Sequence, residues 1–370
     1  MKKEKFKKIE SASFFIGKGD NSLISFGSGQ PDLPPPPEVY RTLPTYRDFK
    51  YGLIQGQENL RGALAAQYPG SKANDFVITN GASEALDLVL RALYEPGARV
   101  LLPKPYYYSY PHNVRLAGME PVFYQLASGK INFETFKEDI RGCRAVLINS
   151  PGNPTGTVQD LEVLKKIEKL AQKIGVYIIS DEVYKDLIYE RENYLIEGKH
   201  VVTLNSFSKT YAMCGLRVGY LYAREKWLID RTVEIKTHSS MNTNVLGQEM
   251  AYEATKVPRR YIDGQTKIWQ ERRDLIYSGL EELGLQLWKP EGAFYVFPKL
   301  RNPSKVVSDL YYKYEMITYD GRWFGDPERV RFSYALDVEK IKEGLKRLKK
   351  YLAKEYKEYK EYKENNEDEE

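Results

Sequence analysis

The chain has 370 residues, 42% hydrophobic and 29% charged, which is longer than one hydrophobic core usually serves and leads us to expect two domains. A net charge of +5 with Lys and Glu interleaved excludes the basic face that nucleic-acid binding needs, and Cys143 and Cys214 lack CxxC or metal-ligand spacing, which excludes a disulfide framework and gives no metal site to expect. The basic start MKKEKFKKIES has no apolar run and no stretch approaches a membrane span, so a cytoplasmic protein with no membrane partner is expected.

From about residue 75 to 225, short β-branched runs alternate with segments of helical periodicity. In chain order the strands are FVIT before Asn80, VLLP after Arg99, PVFYQ from Pro121, AVLIN from Ala145, VYIIS from Val176, VVTLN from Val201 and VGYLYA from Val218. Residues 83–93 and 161–173 carry apolar positions at three- and four-residue spacing and read as helices. The fold class is therefore α/β, with a doubly wound, mostly parallel, seven-stranded sheet in a large domain spanning residues 36–255. Beyond about residue 260 long charged helices surround two strand-like runs, PEGAFYVFPKL and RVRFSYAL, which predict a smaller α+β domain made of 1–35 plus 256–354. Residues 355–370 form a low-complexity charged tail, read as a helix end fraying into disorder.

In such sheets ligands sit beyond the carboxyl ends of the strands, and there the unusual residues collect. AVLIN leads into Ser150-Pro151-Gly152-Asn153-Pro154, VYIIS into Asp181-Glu182-Val183-Tyr184, and VVTLN into Ser206-Phe207-Ser208-Lys209, with Gly215-Leu216-Arg217-Val218-Gly219 following. Singly, each has an ordinary structural explanation: a turn, a helix cap, one lysine among many basic residues. Together they answer one chemical need, the holding of a phosphorylated pyridine aldehyde. Asp181 can keep a ring nitrogen protonated, Tyr184 and Asn153 can hydrogen-bond a 3-oxygen, and Lys209 can form an imine and move protons. Ser206, Ser208, Arg217 and the turn Gly81-Ala82-Ser83 can take a phosphate.

From about Ile24 to about Leu336 this motif set resembles the class I/II aminotransferases, fold type I enzymes dependent on pyridoxal 5'-phosphate and similar to aspartate aminotransferases. The resemblance implies that Lys209 is the Schiff-base lysine, Asp181 the partner of the pyridine nitrogen, and Tyr184 and Asn153 the ligands of the 3-oxygen. It further implies that Ala82, Ser83, Ser206, Ser208 and Arg217 bind the phosphate and that Tyr107, in Pro105-Tyr106-Tyr107-Tyr108, stacks on the ring. Tyr51, in YGLIQG, matches a tyrosine that reaches the cofactor phosphate of a neighbouring subunit, which implies a homodimer with shared active sites. Arg331 matches the arginine that grips the substrate α-carboxylate. Gly29, in Gly27-Ser28-Gly29-Gln30-Pro31-Asp32, and Phe294, in PEGAFY, match residues at the substrate pocket, to which Asn153 also contributes.

The implied activity is amino transfer between an L-amino acid, aspartate or an aromatic one among the candidates, and a 2-oxo acid such as 2-oxoglutarate. Some aspartate-using relatives carry lysine at the position of Ser83, which here brings no charge to a distal carboxylate. The segment before Ile24, where relatives build a substrate-side gate, is short, and Asp320 stands where relatives show proline, with Arg322 and Trp323 beside it as candidates for a side-chain pocket. Two other readings stay open and two find no support. The same cradle serves lyases and decarboxylases, and the run after Lys209 is also like that of histidinol-phosphate aminotransferases. A cofactor-fold regulator would need a helix-turn-helix before residue 24, and a nicotinamide site a GxGxxG that ITNGASEA does not supply.

Overall fold

The computed structural model describes residues 10–15 and 23–364. Two compact units divide the chain, a large one of Gln30–Ile268 with Pro290–Ala293 and a smaller one of Met1–Gly29, Trp269–Lys289 and Phe294–Glu370. The division falls inside the helix Arg259–Glu282, where composition shows no break because the helix runs on while its neighbours change.

The large unit is built on β1 (Phe76–Thr79), β2 (Arg99–Lys104), β3 (Glu120–Ala127), β4 (Lys130–Ile131), β5 (Ala145–Asn149), β6 (Tyr177–Asp181), β7 (Val201–Ser206) and β8 (Gly219–Ala223). They lie side by side in the order β1-β8-β7-β6-β5-β2-β3-β4. Neighbours from β7 to β3 are parallel, whereas β8 runs antiparallel to both β1 and β7, and β4 antiparallel to β3. Seven of these are the runs read from the sequence. The eighth, β4, is an edge strand of two residues, too short for an alternating pattern to register.

Alternation along the strands sends side chains to opposite faces and so calls for helices on both. Val100, Leu102, Ala145 and Leu147 join Ala85, Val89 and Leu90 of the helix Gly81–Ala92 in one core. Their neighbours Leu101, Val146 and Ile148 join Leu164, Ile167 and Ala171 of the helix Leu161–Ile174 in another. That helix stops at Gly175, whose φ of +71° is the left-handed cap that glycine takes without strain. Each fully buried Leu, Ile or Val in these layers contributes roughly 1.5–3 kcal/mol, so the sheet floor beneath the strand ends is the stable part of the unit.

In the smaller unit the strand Val330–Ser333 is central, flanked antiparallel by Tyr295–Val296 and Tyr319–Asp320. Ile24–Ser25 pairs in parallel with Met316–Ile317, tying the amino-terminal segment to this unit. The helix Val338–Glu364 continues past 354, where the sequence was read as a charged tail; residues 365–370 of that tail lie outside the described residues. No described helix is long and apolar enough to cross a membrane.

Candidate functional site

Sheet register gathers the large unit's candidates at one edge. Asn149 pairs with Asp181 and Asp181 with Leu204 across β5, β6 and β7, and Ser206 and Thr79 both pair with Gly219. The residues just after these strands therefore share the same end of the sheet: Ala82 and Ser83 after β1, Tyr107 after β2, Asn153 after β5, Tyr184 after β6, and Ser208 and Lys209 after β7. Arg217 lies two residues before the antiparallel β8 and so joins them.

Asp181 is buried and accepts a hydrogen bond from the Tyr110 hydroxyl at 2.6 Å and one from the Val183 N–H at 3.2 Å. Burial pushes its carboxyl above the ordinary range, while Tyr110, Val183 and the positive charge of Lys209 pull it back. Burial and the Asp181 carboxylate in turn push the Tyr110 phenol well up, which keeps it an O–H donor. Tyr110 is a candidate that the motifs did not reveal; its signal was a further tyrosine three residues after Tyr107, at the start of the next helix, and the two rings meet edge to face at 5.4 Å. Asn149 Nδ2 donates to the Asp181 carbonyl at 3.1 Å and Asn149 Oδ1 accepts from the Asn153 N–H at 2.9 Å, so one side chain ties the two loops. Tyr184 is buried and near enough to Tyr110 for their phenols to interact.

Ser206 caps the short turn Phe207–Thr210, its Oγ accepting from the Ser208 N–H at 3.1 Å and lying 2.8 Å from Ser208 Oγ. That cap presents the half-buried Lys209 on the turn's first coil. Opposite Ser206, Gly219 has no room for a side chain: a Cβ there would sit 2.6 Å from the Gly81 carbonyl carbon and 2.8 Å from the Ala82 nitrogen. Gly81 is constrained by its φ of +74°, and a Cβ there would lie 2.6 Å from the movable Arg217 Nη2. Arg217 itself holds φ +55°, an uncommon conformation for a residue with a side chain, and its Nη1 donates to the Cys214 carbonyl at 2.9 Å. The result is a guanidinium and two hydroxyls around the start of the helix Gly81–Ala92, whose first N–H groups and dipole favour an anion. Glu84 reaches back to the Asn80 N–H at 2.5 Å and receives Lys236 Nζ at 2.9 Å; burial raises its pKa, but Ser240, Asn80 and Lys236 outweigh that and hold it low. Tyr51, by contrast, stands 84% exposed on this unit, as does Phe49 at 82%.

In the smaller unit Arg331 is buried, and its Nη2 donates to the Gly27 carbonyl at 2.5 Å. Its guanidinium carbon lies over the rings of Tyr295, Tyr319 and Phe324 at 4.6, 4.7 and 4.8 Å. Gly29 is pressed against one of those rings, a Cβ there lying 2.5 Å from the Tyr295 hydroxyl oxygen. Phe294 is fully buried between Trp269 and Tyr295, at ring distances of 5.4 and 5.0 Å. Arg322 turns its charge onto Asp320, with nitrogen–oxygen distances of 2.8 and 2.9 Å, and Trp323 packs edge-on to Tyr319. Arg322 is thus engaged within its own loop.

The profile of the family described as aminotransferase class I and II matches residues 21–348, a span that holds every candidate in both units. A probable aspartate/prephenate aminotransferase of Aquifex aeolicus is 33% identical over 359 residues, covering 89% of this chain and 91% of its own. The aspartate aminotransferase of Thermotoga maritima has a like structure, with a TM-score of 0.86 at 33% identity over 92% of this chain and 95% of that one. The aromatic aminotransferase of Pyrococcus horikoshii gives 0.85 at 30% identity, over 94% and 100%. With the strand-end cradle and the buried arginine both inside the matched span, this chain belongs to the class I and II aminotransferase family and is a transaminase.

Proposed function

We propose that the strand ends of the large unit hold pyridoxal 5'-phosphate, attached at Lys209, and that the protein moves an amino group between an L-amino acid and a 2-oxo acid such as 2-oxoglutarate. The observation that carries this reading is the buried Asp181, hydrogen-bonded by Tyr110 and within the field of Lys209, at the same sheet edge as the Gly81, Gly219 and Arg217 cradle. The donor set fits the group: a carboxylate for a pyridinium, phenol and amide for a 3-oxygen, and an anion cradle that a single added Cβ would fill. Bound there, the cofactor supplies the electron sink that weakens the bonds at a substrate Cα. Asp181 holds the proton on the ring nitrogen, Tyr184 and Asn153 bind the 3-oxygen, and Tyr107 stacks on the ring. Ala82, Ser83, Ser206, Ser208 and Arg217 bind the phosphate. Lys209 Nζ would take up the proton from the substrate Cα and hold it for return. Arg331 grips the α-carboxylate, with Gly29, Asn153 and Phe294 at the pocket, and fixes the rotation that sets the Cα–H bond for removal.

The relatives named for aspartate, prephenate and aromatic amino acids support aspartate or an aromatic amino acid as donor. The exposed Phe49, Tyr51, Leu53 and Met241 support a homodimer in which Tyr51 reaches the cofactor phosphate of the partner. The test is borohydride reduction of the yellow protein followed by peptide mapping, which should find the cofactor fixed to Lys209; labelling of another lysine, or no chromophore after cofactor is added, defeats the reading. A panel of amino donors with 2-oxoglutarate names the substrate, and sedimentation of the intact protein reads the dimer.

A further inference from the structure

The sheet of the smaller unit puts three side chains on one face by register alone. Tyr319 is the cross-strand partner of Arg331, and Tyr295 is the partner of Ser333, two residues further on and so on the same side. Direct partners lie close enough for a long side chain to cover its neighbour, and the guanidinium carbon of Arg331 accordingly lies 4.7 Å from the Tyr319 ring centre. The same ring presses on Gly27: a Cβ at that glycine would sit 2.5 Å from Tyr319 Cε1. Gly27 is also the residue whose carbonyl accepts from Arg331 Nη2. Tyr319 thus bears on the cation and on the backbone that orients it. Its ring in turn stacks on Phe15, with centres 5.8 Å apart and planes 13° from parallel. Phe15 belongs to the 3-10 turn Ala12–Phe15 and is itself buried, edge-on to Tyr311 at 5.3 Å.

We infer that Tyr319 is a positioning residue for the carboxylate-binding arginine, and that the amino-terminal turn supports it through Phe15. The inference rests on the reading of Arg331 as the carboxylate grip. A ring over a desolvated guanidinium offsets burial of its charge without taking up the in-plane N–H edges that a carboxylate needs. It also limits the rotation of a long side chain, so less freedom is lost when the substrate anion binds. Tyr319 touches no reacting atom in this scheme; it sets the angle and the depth of the arginine that holds the carboxylate.

The experiment compares Tyr319→Leu, Tyr319→Phe, Phe15→Leu and Arg331→Lys in the cofactor-loaded protein, using the best donor from the panel and 2-oxoglutarate. Loss of the ring should raise KM for donor and acceptor alike by about thirtyfold, the size of a desolvated cation–ring contact, with kcat within about twofold. Tyr319→Phe should restore near-normal KM, and Phe15→Leu should raise KM about threefold in the same direction, as a fraction of that contact. Thermal unfolding of each variant separates these shifts from loss of fold, which would lower kcat through the active fraction and leave KM unchanged. If Tyr319→Leu keeps both KM values while Arg331→Lys raises them, the positioning role is wrong and the grip stands. If Arg331→Lys itself leaves both KM values unchanged, the reading of Arg331 fails first.

Discussion

The two units keep a buried charge by opposite means. In the large unit Asp181 is held by directed hydrogen bonds, an O–H from Tyr110 and an N–H from Val183, with the charge of Lys209 nearby. In the smaller unit Arg331 has three aromatic rings around its guanidinium carbon and a carbonyl at one nitrogen. The difference fits the chemistry proposed for each. A carboxylate that is to hold a proton on a cofactor nitrogen needs its ionisation tuned, and hydrogen bonds tune it. An arginine is charged at any pH of interest, so what must be set is its orientation, and packing sets that.

The comparison is tested most severely at Asp181. Asp181→Ala should leave the fold largely intact, because the residue ends a strand whose core lies in β6 and its neighbours. Turnover should fall by a few hundred- to a few thousand-fold, equivalent to roughly 3–5 kcal/mol for one partner of a buried pair. Near-normal turnover with an unchanged visible spectrum contradicts the assignment.

Glu182, next in the chain, marks a third condition: neither tuned nor boxed. It is buried, Ser180 donates to its Oε1 at 2.9 Å, and Oε2 meets no hydrogen-bond partner among the described residues. Burial pushes its pKa up from the ordinary 4.5 to about 7, against the pull of Lys185 and Ser180. Its folded pKa is above the unfolded one, so the native state holds a proton that the unfolded chain gives up between pH 4.5 and 7. Its contribution to stability is therefore present below that window and lost as pH rises through it. Glu182→Gln should gain on the wild type by about 2–3 kcal/mol between pH 5 and pH 8, read from denaturant unfolding at the two values. A difference that does not change with pH means that Glu182 is ionised throughout.

Arg331→Lys probes the other side of the comparison. Lysine keeps the charge and loses the planar fork, so kcat/KM should fall by roughly 2–3 kcal/mol for every amino donor alike, with the resting visible spectrum unchanged. A strong change in the ranking of donors with overall efficiency intact would place Arg331 in a side-chain pocket instead.

What the sequence made legible divides along the same line. Lys209, Asp181 and Arg217 stand directly after or before β-branched runs, and a local pattern suffices to find them. The sheet layers were legible for the same reason, except β4, whose two residues carry no period. Tyr319 was hidden because its meaning depends on being opposite Arg331 across a strand pair, and register is fixed by tertiary packing and not by nearby residues. Arg322 and Trp323 were read by position as candidates for a side-chain pocket; the pairing of Arg322 with Asp320, two residues before it, is a tertiary detail that position alone does not give. Gly219 reads from sequence only as the end of the run that begins at Gly215; the approach of the Gly81 turn shows why a Cβ is forbidden there.

Tyr110 offers the mildest test and the one most specific to hydrogen bonding. Tyr110→Phe keeps the ring that packs at 5.4 Å from Tyr107 and removes only the oxygen 2.6 Å from Asp181. The fold and the aromatic contacts should survive. Without that O–H, burial is less opposed and the Asp181 carboxyl moves further up, so protonation of Asp181 should remove activity at a higher pH than in the wild type. The direction is fixed by the sign of the contribution: the hydroxyl favours the charged form, and its loss favours the neutral one. The net worth of a hydrogen bond to a charged group, about 1.5 kcal/mol at the low end, corresponds to a shift of the acid limb by about one pH unit and about a tenfold loss of turnover below it. On the alkaline side, where Asp181 is ionised in both proteins, the rates should converge. A uniform loss across the whole pH range would mean that Tyr110 acts on the shape of the site and not on the charge of Asp181.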